Sequence, residues 1–203
     1  MKALISSAAA IGLTVSVANA AIILDTSPAN DRADLSTQAG QTFTLTTGDG
    51  LDQALNSIVV FGPSDAGNAG LTTVEYTLKV WTDLDGNFST WDPGQLVAES
   101  TNTSTIAQNG TGTFNFSQEV LQQGEVYAFS FTTGSGDHQA FRPGLTNVDG
   151  IRLTDGALFS GGTQPFGGAY DASFQIDATK VPEPSSAALL GLGGLALILR
   201  RRK

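Results

Sequence analysis

The densest run of metal-type oxygen ligands in the chain is WTDLDGNFSTWDPG, residues 81–94, where Asp83, Asp85, Asn87 and Asp92 surround Gly86. Hard carboxylate and amide oxygens around a glycine turn are calcium chemistry. With Gly86 at the sixth position of a calcium loop, Asp83, Asp85 and Asp92 fall at the third, fifth and twelfth. The first position is then Trp81, which carries no oxygen ligand. The competing reading is a strand that ends in an Asp-Gly turn, with Asp92-Pro93-Gly94 making a second turn. Trp81 and Trp91 flank the same loop. An exposed indole offers an apolar face to the C–H face of a sugar, which makes the pair a candidate glycan platform. The alternative is packing, reached for Trp81 through one bulge and for Trp91 by plugging the end of a sandwich.

Catalytic constellations are sparse. The one histidine, His138 in GSGDHQAF, rules out a multi-histidine metal centre and would have to serve any Ser-His-Asp triad; its Gly and Asp neighbours suggest a solvated loop instead. No G-x-S-x-G elbow is present. With no cysteine there is neither thiol catalysis nor a thiolate metal site. Paired carboxylates for glycoside hydrolysis stay open, because spacing along a chain does not fix separation in space. The expectation is a non-enzymatic protein with no certain cofactor, Ca2+ being the one candidate.

The elements that would hold these residues read as strands. Residues 21–25, 41–47, 55–62, 72–82, 95–101, 112–118, 125–133, 149–160 and 170–178 alternate apolar and polar side chains or are rich in β-formers, with Gly, Asn, Asp and Ser clusters between them. In the fourth, Val74, Tyr76, Leu78 and Val80 share one face, and Glu75, Thr77, Lys79 and Trp81 the other. Phe114 with Phe116, and Tyr127 with Phe129 and Phe131, continue the inward pattern. Thr42, Thr44 and Thr46 form a short threonine row, expected to be an ordinary solvated face rather than an ice-binding one. One apolar face per strand predicts two sheets packed face to face or a barrel, and the favoured form is an all-β, jelly-roll-like sandwich over residues 21–180. That layout is similar to many secreted carbohydrate-binding modules, at the level of fold alone.

Both ends carry targeting patterns. MKALISSAAAIGLTVSVANA has a charged Lys2, an apolar stretch at 8–17 and the small-x-small pattern Ala18-Asn19-Ala20, which predicts a signal peptide over residues 1–20 cut before Ala21. At the other end, VPEPSSAALLGLGGLALILRRRK places a Pro-Glu-Pro turn before fifteen apolar residues, 185–199, and then Arg200, Arg201, Arg202 and Lys203. Fifteen residues make a helix of about 22 Å against roughly 30 Å of hydrocarbon, a marginal span. The basic end stays cytoplasmic and leaves the domain outside, in agreement with the signal peptide. Between these segments, Arg32, Lys79, Arg142, Arg152 and Lys180 face eighteen acids, a net charge of −13 that argues against nucleic acid as a partner.

The tripeptide, the short Leu/Gly/Ala helix and the terminal Arg cluster together resemble the PEP-CTERM sorting signal of Gram-negative bacteria, a signal also described as an ice-binding-protein C-terminal domain. The resemblance implies that Pro182, Glu183 and Pro184 are recognised by a membrane exosortase, and that residues 185–199 are a transient inner-membrane anchor. Signal peptidase and exosortase are then the processing partners, exopolysaccharide a further candidate partner, and the cell surface or extracellular matrix the destination. The expected function is a structural or glycan-directed interaction. The alternatives are a secreted glycan-active hydrolase and a permanently anchored calcium-dependent adhesin.

Overall fold

The computed structural model describes residues 20–27, 31–32, 40–62, 74–87, 89–107, 109–132, 144–146, 153, 155–160, 162–163 and 170–182. His138, all of the expected signal peptide but Ala20, and all of the tail beyond Pro182 lie outside the described residues. Among the described residues every regular element is a strand: β1 (Ala20–Asp25), β2 (Asp31–Arg32), β3 (Gly40–Thr44), β4 (Gln53–Phe61), β5 (Thr77–Asp83), β6 (Pro93–Glu99), β7 (Thr111–Asn115), β8 (Val120–Leu121), β9 (Val126–Thr132), β10 (Gly144–Thr146), β11 (Gly156–Phe159), β12 (Asp171–Ala172) and β13 (Phe174–Lys180).

They form two larger antiparallel sheets and one small one. The first runs β1-β13-β4-β7, with β8 also on β4; the second runs β11-β3-β9-β5-β6; the small one is β12-β10-β2. The two larger sheets meet across an aromatic core. Phe174 of β13 lies 4.9 Å from Phe129 of β9, centroid to centroid, and Phe114 of β7 lies 6.0 Å from Phe131 of β9. Edge-on ring contacts of this kind add to the area that each ring removes from water. Tyr76, Leu78 and Val80 point into the same core, as their alternation predicts.

Two departures from strict alternation have local causes. Leu55 and Ile58 are three residues apart, yet both are fully buried. The register explains it: Asp177 pairs with Ser57 and Ala178 with Leu55, so Asn56 is the extra residue of a bulge and the inward phase resets. The expected strand at 170–178 is instead split at Ser173 into β12 and β13. At the break the Thr26 hydroxyl accepts the Phe174 N–H at 2.8 Å and lies 2.8 Å from the Ala172 carbonyl. A side chain there takes the place of a neighbouring strand.

The threonine row is solvated at one end only: Thr46 is exposed and Thr44 partly buried, but the row closes at Thr42. Thr42 is fully buried, and its hydroxyl accepts the Ala157 N–H at 3.0 Å. Burial on both sides extends to all of β9, whose seven residues are buried without exception. Its outward-facing Ala128 and Ser130 are therefore covered by something other than the opposing sheet.

Candidate functional site

The cover over β9 begins with Trp81. Its strand β5 pairs with β9 so that Trp81 lies opposite Ala128, Lys79 opposite Ser130, and Val80 opposite the inward Phe129. Trp81 therefore keeps the outward direction that its alternation predicts, and it lies on the sheet. Its indole N–H donates to the Ser130 hydroxyl at 2.9 Å, and the Lys79 ammonium stands 6.0 Å from the ring centroid. An indole is accommodated on a half-buried surface when its one donor is satisfied and its ring faces apolar ground.

Trp91, just before β6, rests on the neighbouring strand. A Cβ added to Gly40 would run into Cη2 and Cζ3 of Trp91 and would stand 2.6 Å from the Phe129 carbonyl oxygen. Trp91 also packs on Phe159, with centroids 5.5 Å apart. Gly40 and Ser130 are register partners across β3 and β9. The two indoles are thus seated side by side on one outer face, each about half buried. Leu96, the register partner of Trp81, and Leu84 in the adjoining loop are 46% and 65% exposed. They are two of the four large hydrophobic residues that are exposed among the described residues, and both border the tryptophans in sequence or register.

The acidic loop is built differently. Gly86, at φ +66°, turns the chain in a left-handed conformation that side chains disfavour. The Asn87 N–H then donates to Asp85 Oδ1 at 2.8 Å and more weakly to Asp83 Oδ1 at 3.2 Å. The Thr90 hydroxyl lies 2.9 Å from Asp85 Oδ2, and the Asn87 side-chain oxygen accepts the Ser89 N–H at 3.1 Å. Asp92 takes part through its carbonyl, which accepts the Leu84 N–H at 2.9 Å. The structure brings Asp83, Asp85 and Asn87 together and uses the Asp92 backbone to close the loop. Among the described residues no three His, Cys, Asp or Glu side chains are grouped to hold a metal ion.

Asp83 is the electrostatic exception in this loop. Its Oδ2 is buried and accepts no hydrogen bond, and it can pair with the neighbouring Asp85 carboxylate only when one of the two holds a proton. Burial, reinforced by Asp85, pushes the Asp83 carboxyl up to about 6. Asp85 moves the opposite way, held below the usual carboxylate range by the Asn87 N–H and the Thr90 hydroxyl.

At the chain's exit, β13 ends where proline begins. Lys180 pairs with Gln53, the Val181 N–H donates to the Asp52 carbonyl at 3.0 Å, and exposed Pro182 has no N–H with which to continue the ladder. The Lys180 ammonium meets Asp49 at 2.5 Å, and that contact holds Asp49 well below the usual carboxylate range. Glu183, Pro184 and the basic cluster Arg200, Arg201, Arg202 and Lys203 lie outside the described residues. Among the described residues no helix is long and apolar enough to cross a membrane.

Residues 180–203 match the model of the PEP-CTERM protein-sorting motif. The chain thus carries a PEP-CTERM sorting motif at this end, the kind of signal that implies export and processing by exosortase. The comparison with curated proteins gave no match for the chain. The match starts at Lys180, so the motif begins inside β13 without a spacer.

Sequence reasoning found the tryptophans but not their seats. Gly40, Ser130 and Phe159 carry no pattern that marks them as supports, because their partners arrive from strands far away in the chain. The Lys180–Asp49 contact was equally silent.

Proposed function

We propose that the exported domain is a non-catalytic surface or matrix module that contacts neutral polysaccharide through the outer face of its second sheet. The observation that carries this reading is the seating of Trp81 and Trp91 on the register partners Ser130 and Gly40. Neighbouring, partly exposed indoles bordered by Leu84 and Leu96 give an apolar ledge suited to sugar C–H faces. Lys79 above Trp81 adds a hydrogen-bond donor at its rim. The strongly acidic domain favours uncharged over anionic glycans.

The jelly-roll reading of the sandwich is supported by strand order. In the first sheet the earliest and latest long strands, β1 and β13, lie side by side. Going from β3 to β4 to β5, and from β6 to β7 to β9, the chain changes sheet at each step.

Affinity chromatography on immobilised neutral polysaccharide tests the proposal. Trp91→Ala and Trp81→Ala should each be retained less than the parent while keeping a β-sheet far-ultraviolet spectrum. Undiminished retention of both folded variants would remove the ledge from consideration, and release of reducing sugar by the parent would favour the hydrolase alternative.

A further inference from the structure

The first and last long strands of the domain are neighbours, and the bond expected to be cut by signal peptidase lies within their ladder. Ala20 pairs with Thr179, Ala21 with Ala178 and Ile22 with Asp177. On its other side β13 pairs with β4 from Phe174–Val60 to Lys180–Gln53, so β13 is an inner strand and β1 an edge strand. The same ladder end releases the sorting motif: Lys180 is the last paired residue and Pro182 is already exposed.

We propose that this ladder orders the two processing events: the signal segment must be removed before β13 docks beside β1, whereas the tail is presented by the domain after it has folded. The inference rests on the export reading above. Cleavage after Ala20 breaks the Ala20–Ala21 C–N bond; water supplies the hydroxyl to the Ala20 carbonyl carbon and a proton to the Ala21 nitrogen. A peptidase must hold the residues around that bond in an extended, unpaired form. In the folded domain those residues are committed to β13, and access requires the edge strand to open. The order of export fits, since β1 leaves the membrane about 150 residues before β13 does. At the other end Val181 is anchored by Asp52 and Lys180 by Asp49, so the folded domain holds the start of the motif at a fixed point, and the described chain ends at exposed Pro182.

The test uses the full precursor, purified with both segments in detergent and offered to signal peptidase either folded or freshly diluted from urea. We expect the folded precursor to be cut after Ala20 at least about tenfold more slowly than the diluted one. A second precursor, Ile22→Cys with Asp177→Cys, joins the two strands at a register pair in a chain that has no other cysteine. Its oxidised form, diluted from urea, should be cut more slowly than its reduced form. Equal rates for folded and diluted parent, or for oxidised and reduced variant, would overturn the proposal. Failure to cut after Ala20 in every state would overturn the export reading at that bond, and this inference with it.

Discussion

Trp91 lies directly on Gly40, whose missing side chain leaves the space that the six-membered ring of the indole fills. The contact joins the loop after β5 to β3, strands that are separated in the sheet by β9. Gly40→Ala would force either the indole or the Phe129 carbonyl to move. Overpacking at such a site costs about 1–3 kcal/mol. The expected result is a lower denaturation midpoint together with a red-shifted tryptophan emission, and fluorescence-monitored urea unfolding measures both.

Trp81 is held by a different force. Trp81→Phe keeps an aromatic ring over β9 but leaves the buried Ser130 hydroxyl without its donor, at a cost of about 1 kcal/mol. In the Ser130→Ala background that cost should shrink, because the hydrogen bond is already gone. Equilibrium unfolding of the four proteins gives the coupling directly.

Phe129→Ala sets the scale of the core. Phe129 is fully buried and touches the rings of Phe43, Phe131 and Phe174. Its loss should cost about 3–5 kcal/mol, well above either change on the outer face. Chemical denaturation of this variant beside Trp81→Phe would reveal whether the indoles cover the sheet or form part of its core.

Asp83 gives a pH signature whose sign can be worked out. Its carboxyl is raised to about 6 in the folded protein against about 3.9 in an unfolded chain, so the folded state holds the proton more tightly. Its contribution to stability is therefore lost as pH rises from about 4 through about 6. Asp83→Asn removes the titration, so the variant should gain in Tm relative to the parent between pH 4.5 and pH 7. Because both Asp85 oxygens already accept from the Asn87 N–H and the Thr90 hydroxyl, and Asp92 closes the loop through its backbone carbonyl, millimolar calcium should leave the parent's Tm unchanged. A calcium-induced rise abolished by Asp85→Ala would instead establish the metal loop.

The sequence made the all-β class legible because alternation survives in single strands: Tyr76, Leu78 and Val80 are buried as their spacing requires. It also showed Trp81 facing outward. It could not show that this outer face is covered, because the cover depends on Gly40, Ser130 and Phe159, which approach only through β3, β9 and β11. The bulge at Asn56 and the break at Ser173 are likewise set by partners distant in sequence. Two-residue strands such as β8 are too short to have a period at all. The sorting signal was the most readable feature, since it is recognised as a contiguous segment and needs no fold to bring it together.

The central claim is that this is an exported domain delivered by a C-terminal sorting signal. Intact-mass measurement of the protein recovered from the surface or medium of a host with exosortase tests it most directly. The account predicts a chain that begins at Ala21 and lacks residues 185–203. A mass that retains the tail through Lys203 in that material would contradict it.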